Sequence, residues 1–266
     1  MKEELKQLKT KEPLFVAFAT QKGGVGKSTF TTLTASWLHY TKGVDVAVVD
    51  CDHPQYSLDK ARKREVERVN SDPYYTELAH KLFSQIDKSV FPILTTPVGS
   101  AIETAMQFLN SRKGVYDVVF FDLPGTVDTP GVLNTLIGLD YLFIPISADP
   151  YVIDSSLGFA HYLQQNVVPN PDIRLRGVYL FWNMVVGSEK TSLYDIYQKT
   201  ISEMGIPLLK TFVPASVKFK KEISDDHNQI FRSTILPANV QLFRQCRLDE
   251  LTAEICSILN LCPDER

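Results

Sequence analysis

Short apolar runs rich in Val, Ile and Phe recur along this chain and alternate with stretches of helical pattern. Such runs are typical of parallel strands buried on both faces, joined by right-handed helical crossovers. The sequence predicts an α/β fold with a doubly wound, mostly parallel sheet of about seven strands and helices on both faces. The predicted strands are 14–20, 45–51, 117–123, 141–147 and 177–183, with weaker candidates at 91–96 and 208–213. The predicted helices are 27–41, 74–87, 100–112, 130–138, 153–165 and 192–204.

The charged stretch 59–68 predicts a solvated helix on the surface, and 238–259 predicts one final helix packed on the sheet. No repeat or low-complexity linker divides the 266 residues. We therefore expect a single domain over 13–266, preceded by a tail or short helix over 1–12.

The composition limits the location and the partners of the protein. No run reaches the length of about 18 apolar residues that spans a bilayer, and the polar start is no signal peptide, so a cytoplasmic protein is expected. The net charge of −3 gives no overall attraction to nucleic acid, so DNA binding needs a local patch. The four cysteines lack metal-ligand spacing, which favours reduced thiols over a zinc or iron–sulfur site.

The sequence QKGGVGKST follows the first predicted strand and leads directly into a helix. This strand–loop–helix context is what a phosphate-binding loop requires, since glycines let backbone N–H groups turn around an anion at the helix N-terminus. Lys27 would contact the β- and γ-phosphates, Ser28 would bind Mg²⁺ and Thr29 would bind the α-phosphate. ATP and Mg²⁺ are the expected cofactors, and the alternative is a glycine-rich turn with solvated lysines. The predicted nucleotide contacts of this loop are Gly23, Gly24, Val25, Gly26, Lys27, Ser28 and Thr29.

Aspartates end two of the predicted strands. The second strand ends in VVDCDHPQ, which places Asp50 and Asp52 at the carboxyl edge of the sheet, where open α/β sheets bind ligands. The run YDVVFFDLPGT ends in Asp122, a carboxylate positioned to hold Mg²⁺ through water, with Gly125 near the γ-phosphate in a loop that switches with the nucleotide. An ordinary helix-capping role is the alternative for Asp50 and Asp52, and a plain loop cap is the alternative for Asp122.

The segment KGGVGKST resembles the deviant Walker A box of the ParA/MinD family of ATPases, which carries an extra lysine, here Lys22. The resemblance implies a P-loop NTPase that forms a homodimer when it binds ATP, with Lys22 acting on the partner's phosphates. The sequence DCDHPQ resembles the family's D-x-D-P-Q motif, although His53 precedes the proline. By that resemblance Asp52 positions the attacking water, and Asp50 supports the Mg²⁺ shell. Lys22, Lys27 and Asp52 are thus the predicted catalytic residues.

The family resemblance extends to weaker signals further along the chain. In FWNMV, Asn183 falls where an adenine-contacting asparagine would lie, and Val213 and Pro214 are predicted to border the base. Simple turn chemistry after a strand is the alternative for these positions.

A local excess of basic residues follows in the segment 210–247. The stretch VPASVKFKKEI resembles the family stretch that contacts nucleic acid, with Lys218 at a matching position and Ala215 where many members have an arginine. We predict that Lys218, Lys220, Lys221 and Arg232 contact DNA phosphates without reading bases. A solvated charged loop is the alternative.

The resemblance implies a ParA-like partition ATPase with weak hydrolysis, stimulated by a ParB-like centromere-binding protein and associated with the nucleoid. It would bind non-specific DNA and move a plasmid, a chromosome locus or a mobile element. The main alternative is a MinD-like positioning ATPase that acts on a membrane or a protein. A membrane switch would need a basic amphipathic helix, whereas acids predominate in DELTAEICSILNLCPDER, so no membrane is expected. A metabolic ligase or kinase on a similar loop is a further alternative.

Overall fold

One parallel sheet forms the centre of the fold. The computed structural model describes residues 12–21, 24–112, 115–125, 130–187, 192–223, 227 and 229–261. Across these residues the sheet has six strands in the order β3-β2-β4-β1-β5-β6, counted along the chain, and all neighbours pair in parallel. The strands are β1 (Leu14–Phe18), β2 (Val46–Asp50), β3 (Ile93–Thr95), β4 (Val118–Asp122), β5 (Tyr141–Ile146) and β6 (Gly177–Trp182).

Helices cover both faces of the sheet, as the sequence predicts. The helices that lead from one strand to the next are α1 (Lys27–Tyr40), α2 (Ser57–Ser71), α3 (Pro73–Gln85), α4 (Ala101–Asn110), α5 (Val132–Ile137) and α6 (Pro150–Asn166). After β6 come α7 (Ser192–Glu203), α8 (Val240–Gln245) and α9 (Leu248–Leu259). Helices α4 to α7 pack on one face, and α1, α2, α8 and α9 pack on the other.

The strands are mostly apolar on both sides because each face of the sheet has its own core. In β1, Phe15 and Ala17 belong to the core under α4 to α7, whereas Val16 and Phe18 belong to the core under α1 and α9. Successive side chains of a strand point to opposite faces, so a strand between two helical layers needs apolar residues at every position. This explains why the five clearest runs of the sequence form strands.

The connections that follow the neighbouring parallel strands β1 and β4 run to opposite sides of the sheet. The chain passes from β1 through α1 to β2, and from β4 through α5 to β5 on the other side of β1. Such a reversal opens a crevice at the carboxyl ends of the two strands, which is where open α/β sheets bind ligands. The loop after β1 lies at this crevice.

The prediction of a seventh strand at 208–213 was wrong. This segment runs beside β6 but makes only isolated bridges, Leu180 with Leu208 and Val185 with Pro214. Between the bridges, the backbone N–H groups of Lys210 and Thr211 donate to the carboxylate of Glu254 in α9. Because these donors are bound to a side chain, the ladder with β6 is interrupted.

Two helix predictions also need correction. The segment 238–259 is not one helix, because the chain turns at Arg247, whose φ of 56° is left-handed, and this turn separates α8 from α9. Helix α2 is longer than the predicted 59–68 and is not fully solvated. Its Glu65 is buried and accepts hydrogen bonds from Thr234, while Arg62 donates to the carbonyl oxygens of Phe91 and Thr234.

Candidate nucleotide-binding site

The loop between β1 and α1 has a backbone that only glycine adopts easily. Gly24 has a φ of 86° and Gly26 a φ of 88°, both in the left-handed region that a Cβ atom disfavours. Helix α1 begins at Lys27, directly after Gly26, so its free N–H groups and its positive end face the loop. Lys22 and Gly23 lie outside the described residues, so the predicted roles of both stay predictions.

Lys27 is buried at the carboxyl end of the sheet, with 6% of its surface exposed. Its Nζ donates a hydrogen bond of 3.1 Å to the carbonyl oxygen of Gly125, in the loop after β4. Burial lowers the pKa of the ammonium, and the carboxylates of Asp122 and Asp52 oppose that shift. Lys27 therefore joins the phosphate loop to the loop after β4 and brings a cation into a buried site near the carboxylates of Asp122 and Asp52.

Asp122 ends β4 in register with the last residues of both neighbouring strands, Phe18 and Asp50. Its side chain is fully buried. Burial raises its pKa to about 7; the Ser28 hydroxyl and the Lys27 ammonium oppose this shift, and Asp50 adds to it. Neither carboxylate oxygen has a hydrogen-bond partner of normal geometry among the described residues.

A magnesium ion fits this arrangement. An unpartnered buried carboxylate is costly, and a hard divalent cation is the partner that offsets that cost. The hydroxyl of Ser28 and the carboxylate of Asp122 would hold the ion, with Asp122 acting through water. Lys27 beside them supplies the positive charge that phosphate oxygens need.

Asp50 and Asp52 have different surroundings, although they stand two residues apart. Asp50 Oδ2 accepts hydrogen bonds from the backbone N–H groups of Leu58 at 2.9 Å and Asp59 at 3.1 Å, so this carboxylate caps α2. Burial raises the pKa of Asp50, and these backbone donors oppose the shift. Asp52 is half-buried; burial raises its pKa and Lys27 lowers it. Capping was the alternative role considered for Asp50, and its support of the Mg²⁺ shell stays a prediction. Of these two carboxylates, Asp52 is the one whose charge raises the pKa of Lys27.

The side chain of Asn183 binds the phosphate loop. Its Nδ2 donates to the carbonyl oxygen of Val25 at 3.0 Å, and its Oδ1 accepts from the N–H of Met184 at 2.8 Å. Val213 is fully buried in the apolar core, while Pro214 is partly exposed next to Val185. The predicted adenine contacts of Asn183, Val213 and Pro214 stay predictions, and the brace between Asn183 and the loop is a role that the sequence did not indicate.

The predicted DNA-binding residues occupy two places. A short 3-10 turn, Val217–Lys220, carries Lys218 and Lys220, and Lys221 follows it. Lys220 and Lys221 are exposed, Lys218 binds the side chain of Gln245, and none of the three forms an ion pair with another described residue. Arg232 lies against the phosphate loop instead, where it donates to the Thr29 hydroxyl at 2.9 Å. DNA contact by these four residues stays a prediction.

A parallel sheet whose first strand leads into a glycine-bounded loop and a helix that begins with a buried lysine defines a P-loop nucleotide-binding domain. The sequence profile of the family CbiA, the CobQ/CobB/MinD/ParA nucleotide binding domain, matches residues 16–230. The chain belongs to this family. The resemblance in the sequence is thereby confirmed, as is the doubly wound fold with helices on both faces.

Relatives with names and solved structures agree with this assignment. The chain is 29% identical over 169 residues to the chromosome-partitioning ATPase Soj of Thermus thermophilus, an alignment that covers 61% of this chain and 67% of Soj. The MinD cell division protein of Aquifex aeolicus superposes with a TM-score of 0.52 at 19% identity, covering 79% of this chain and 84% of MinD. The pNOB8 ParA structure bound to nonspecific DNA gives 0.51 at 19% identity, covering 93% and 97%. At these identities the solved structures show a shared fold.

Proposed function

We propose that this protein is an ATP-binding and ATP-hydrolysing switch that dimerises with ATP and partitions or positions DNA. ATP binding is supported by the grouping of Lys27, Ser28 and the unpartnered carboxylate of Asp122 at the crevice between β1 and β4. A buried ammonium next to a buried carboxylate without a partner is an arrangement that a triphosphate and its magnesium ion would neutralise.

In the proposed reaction the chain mainly positions charged groups. Backbone N–H groups of the phosphate loop and the Lys27 ammonium hold the β- and γ-phosphates, and magnesium, when bound, neutralises charge on their oxygens. Asp52 is close enough to Lys27 for each charge to shift the pKa of the other. We assign Asp52 the task of orienting the attacking water. We assign Gly125, whose carbonyl oxygen accepts a hydrogen bond from Lys27, to a loop that would follow the γ-phosphate.

Dimerisation is proposed from the second lysine of the loop. Lys22, delivered to the partner's phosphates, would neutralise charge only when two subunits meet, so hydrolysis would depend on the homodimer. Light scattering of an Asp52→Ala protein, which would retain ATP, is expected to show a dimer with ATP and a monomer with ADP. A monomer in both states would contradict this part of the proposal.

DNA is the proposed binding partner because the chain, although acidic overall, has a basic turn formed by Lys218, Lys220 and Lys221. Lys218, Lys220 and Lys221 would neutralise phosphates without reading bases. Two relatives support this choice, since one is called a chromosome-partitioning ATPase and another was solved bound to nonspecific DNA.

The membrane alternative finds less support in the described part of the chain. Helix α9 buries its apolar residues Leu248, Leu251 and Ile255 in the core, so they are not available to insert into lipid. Its Glu254 is bound to the backbone of the 208–213 segment. Among the described residues no helix is long and apolar enough to cross a membrane.

A weak ATPase of this kind would depend on partners for its rate. We propose a ParB-like centromere-binding protein as the stimulating partner, and a cytoplasmic location on the nucleoid. The test is ATP turnover of the wild type, Lys22→Ala and Asp52→Ala, with and without duplex DNA at two salt concentrations. We expect DNA-stimulated turnover in the wild type and its loss in both variants; normal turnover in Lys22→Ala would contradict action in trans.

The DNA surface has its own test. Replacing Lys218, Lys220 and Lys221 by alanine should reduce the slope of log affinity against log salt by about 0.9 for each phosphate that is no longer neutralised. Lys199→Ala is the matched control, because Lys199 is exposed on α7, away from the basic turn. A triple variant whose salt slope equals that of the wild type would exclude this surface.

A further inference from the structure

Arg232 connects the phosphate loop to the basic turn. Its Nη1 donates to the Thr29 hydroxyl at 2.9 Å, and its Nη2 forms an ion pair with the carboxylate of Glu222. Thr29 lies in the first turn of α1, and Glu222 follows Lys221 directly. One guanidinium therefore contacts both the nucleotide-binding loop and the end of the basic segment.

The direction of the hydrogen bond determines what the Thr29 hydroxyl can do. A guanidinium only donates, so Thr29 Oγ1 is the acceptor in this contact. The single proton of the hydroxyl then remains available for another acceptor, such as an oxygen of the α-phosphate. The fixed geometry of the guanidinium also restricts the rotation of the Thr29 side chain.

The backbone of Arg232 is anchored on both sides. Its own N–H donates to the carbonyl oxygen of Lys221 at 2.9 Å. Next along the chain, the Ser233 hydroxyl and the Thr234 N–H donate to Glu65 Oε2 at 3.1 and 2.8 Å, and Ser233 and Thr234 are buried. The segment that carries Arg232 is thus held by α2, and the guanidinium is directed at the loop by buried polar contacts.

The guanidinium also lines a cavity of about 130 Å³. Ser28, Thr32 and Glu222 line the same cavity, so the cavity extends from Ser28, the proposed magnesium ligand, to Glu222, which follows the basic turn. The side chain of Arg232 is about one third exposed there.

We propose that Arg232 is a positioning residue of the phosphate loop, which orients the Thr29 hydroxyl toward the α-phosphate and has Glu222 as its counter-ion. The proposal rests on the proposed nucleotide function and deepens it. It differs from DNA contact by Arg232, because the guanidinium acts on Thr29. Through Glu222, Arg232 also connects the basic turn to the loop that would hold the nucleotide.

A double-mutant cycle between Arg232 and Thr29 tests the proposal. Arg232→Gln is expected to weaken the binding of both ATP and ADP about tenfold, the usual effect of losing a hydrogen bond from a charged donor. In a Thr29→Val background the same substitution is expected to have no further effect. Arg232→Lys, which retains a cationic donor, should restore part of the affinity, and Glu222→Gln should weaken binding less than Arg232→Gln.

The outcomes separate the possible roles. The proposal is overturned if Arg232→Gln weakens ATP binding as much in the Thr29→Val background as in the wild type. It is also overturned if Arg232→Gln binds ATP as tightly as the wild type but is no longer retained on duplex DNA. Failure of the wild type itself to bind ATP would instead remove the proposed function. Arg244→Gln is the control, since Arg244 is exposed on α8, and the thermal unfolding of each variant checks that it folds.

Discussion

The side chain of Asn183, at the end of β6, donates a hydrogen bond to the carbonyl oxygen of Val25 in the phosphate loop. Both side chains are buried, and the two residues are 158 positions apart. The contact holds the backbone of the loop at Val25. It thereby connects β6 to the site that β1 and β4 form.

Asn183→Ala should therefore weaken the loop as a whole. It leaves a buried carbonyl and the N–H of Met184 without partners, which costs about 1–3 kcal/mol of stability. If Asn183 acts as a brace, the binding of ATP and of inorganic tripolyphosphate should weaken by the same factor, measured by calorimetry. Weaker binding of ATP alone would instead support the adenine contact predicted from the sequence.

Asp50 is expected to stabilise the fold even when no nucleotide is bound. As the cap of α2 it accepts backbone hydrogen bonds from Leu58 and Asp59, and it accepts a longer one from Asp52 in the preceding loop. Asp50→Ala should lower the free energy of unfolding by about 0.5–2 kcal/mol, whereas Asp50→Asn keeps an acceptor and should lose less. Urea denaturation without nucleotide measures both, with Asp195→Ala on the exposed surface of α7 as the control. A wild-type free energy of unfolding in Asp50→Ala would contradict the capping role.

The glycine at the start of α1 should resist substitution. Gly26 has a left-handed φ, so Gly26→Ala is expected to cost about 1–2 kcal/mol and to weaken ATP binding by distorting the loop. Gly158, inside α6, has open space where a Cβ would lie, and Gly158→Ala should stabilise the protein by about 0.5–1 kcal/mol. Thermal unfolding of the two variants checks both signs. Equal effects would show that the loop conformation is not as described.

His39 should make stability depend on pH. Its Nε2 lies 2.8 Å from the carbonyl oxygen of Ser89, and its Nδ1 accepts a weak hydrogen bond from the N–H of Val46, so the ring is neutral in the fold. Burial lowers its pKa; the Ser89 carbonyl and Asp45 oppose that shift, and Lys88 adds to it. Because the unfolded chain then binds more protons near its pKa of about 6.5, the contribution to stability is complete above that pH.

That contribution should be lost as the pH falls below about 6.5 toward the lower pKa of the folded state, with a slope of at most about 1.4 kcal/mol per pH unit. Urea denaturation between pH 8 and 5.5 measures this loss as the difference between the wild type and His39→Gln. His80→Gln, on the exposed side of α3, should follow the wild type. A difference between wild type and His39→Gln that does not change with pH would contradict the neutral, buried state of His39.

The sequence predicts the parts of the fold that depend on local pattern. The five clearest apolar runs form strands because each strand is covered on both faces, and Asp50 and Asp122 meet because parallel strands end at one edge. The extra strand at 208–213 is absent because the N–H groups of Lys210 and Thr211 donate to Glu254, 44 and 43 residues further along the chain, instead of to β6. The break at Arg247 has no glycine or proline to indicate it.

The contacts between residues of the site that are far apart in the chain could not be predicted from the sequence. Asn183 reaches Val25 only because β6 ends beside the phosphate loop, and Arg232 reaches Thr29, 203 positions away, only because α2 holds the segment around Thr234. The residue types were noticed, but their partners depend on the order of the strands and on the packing of α2. Such contacts are set by the tertiary structure, which periodicity does not encode.

We propose above that the loop at Lys27 binds a nucleoside triphosphate with magnesium. Isothermal titration calorimetry of Mg·ATP into the folded wild type, Lys27→Ala and the exposed α2 control Lys63→Ala tests it most directly. We predict one nucleotide per chain for the wild type and Lys63→Ala, and affinity at least about a hundredfold weaker for Lys27→Ala, the loss expected for a buried charge-assisted contact. No uptake of ATP by the folded wild type, or equal affinity in Lys27→Ala, would contradict the account.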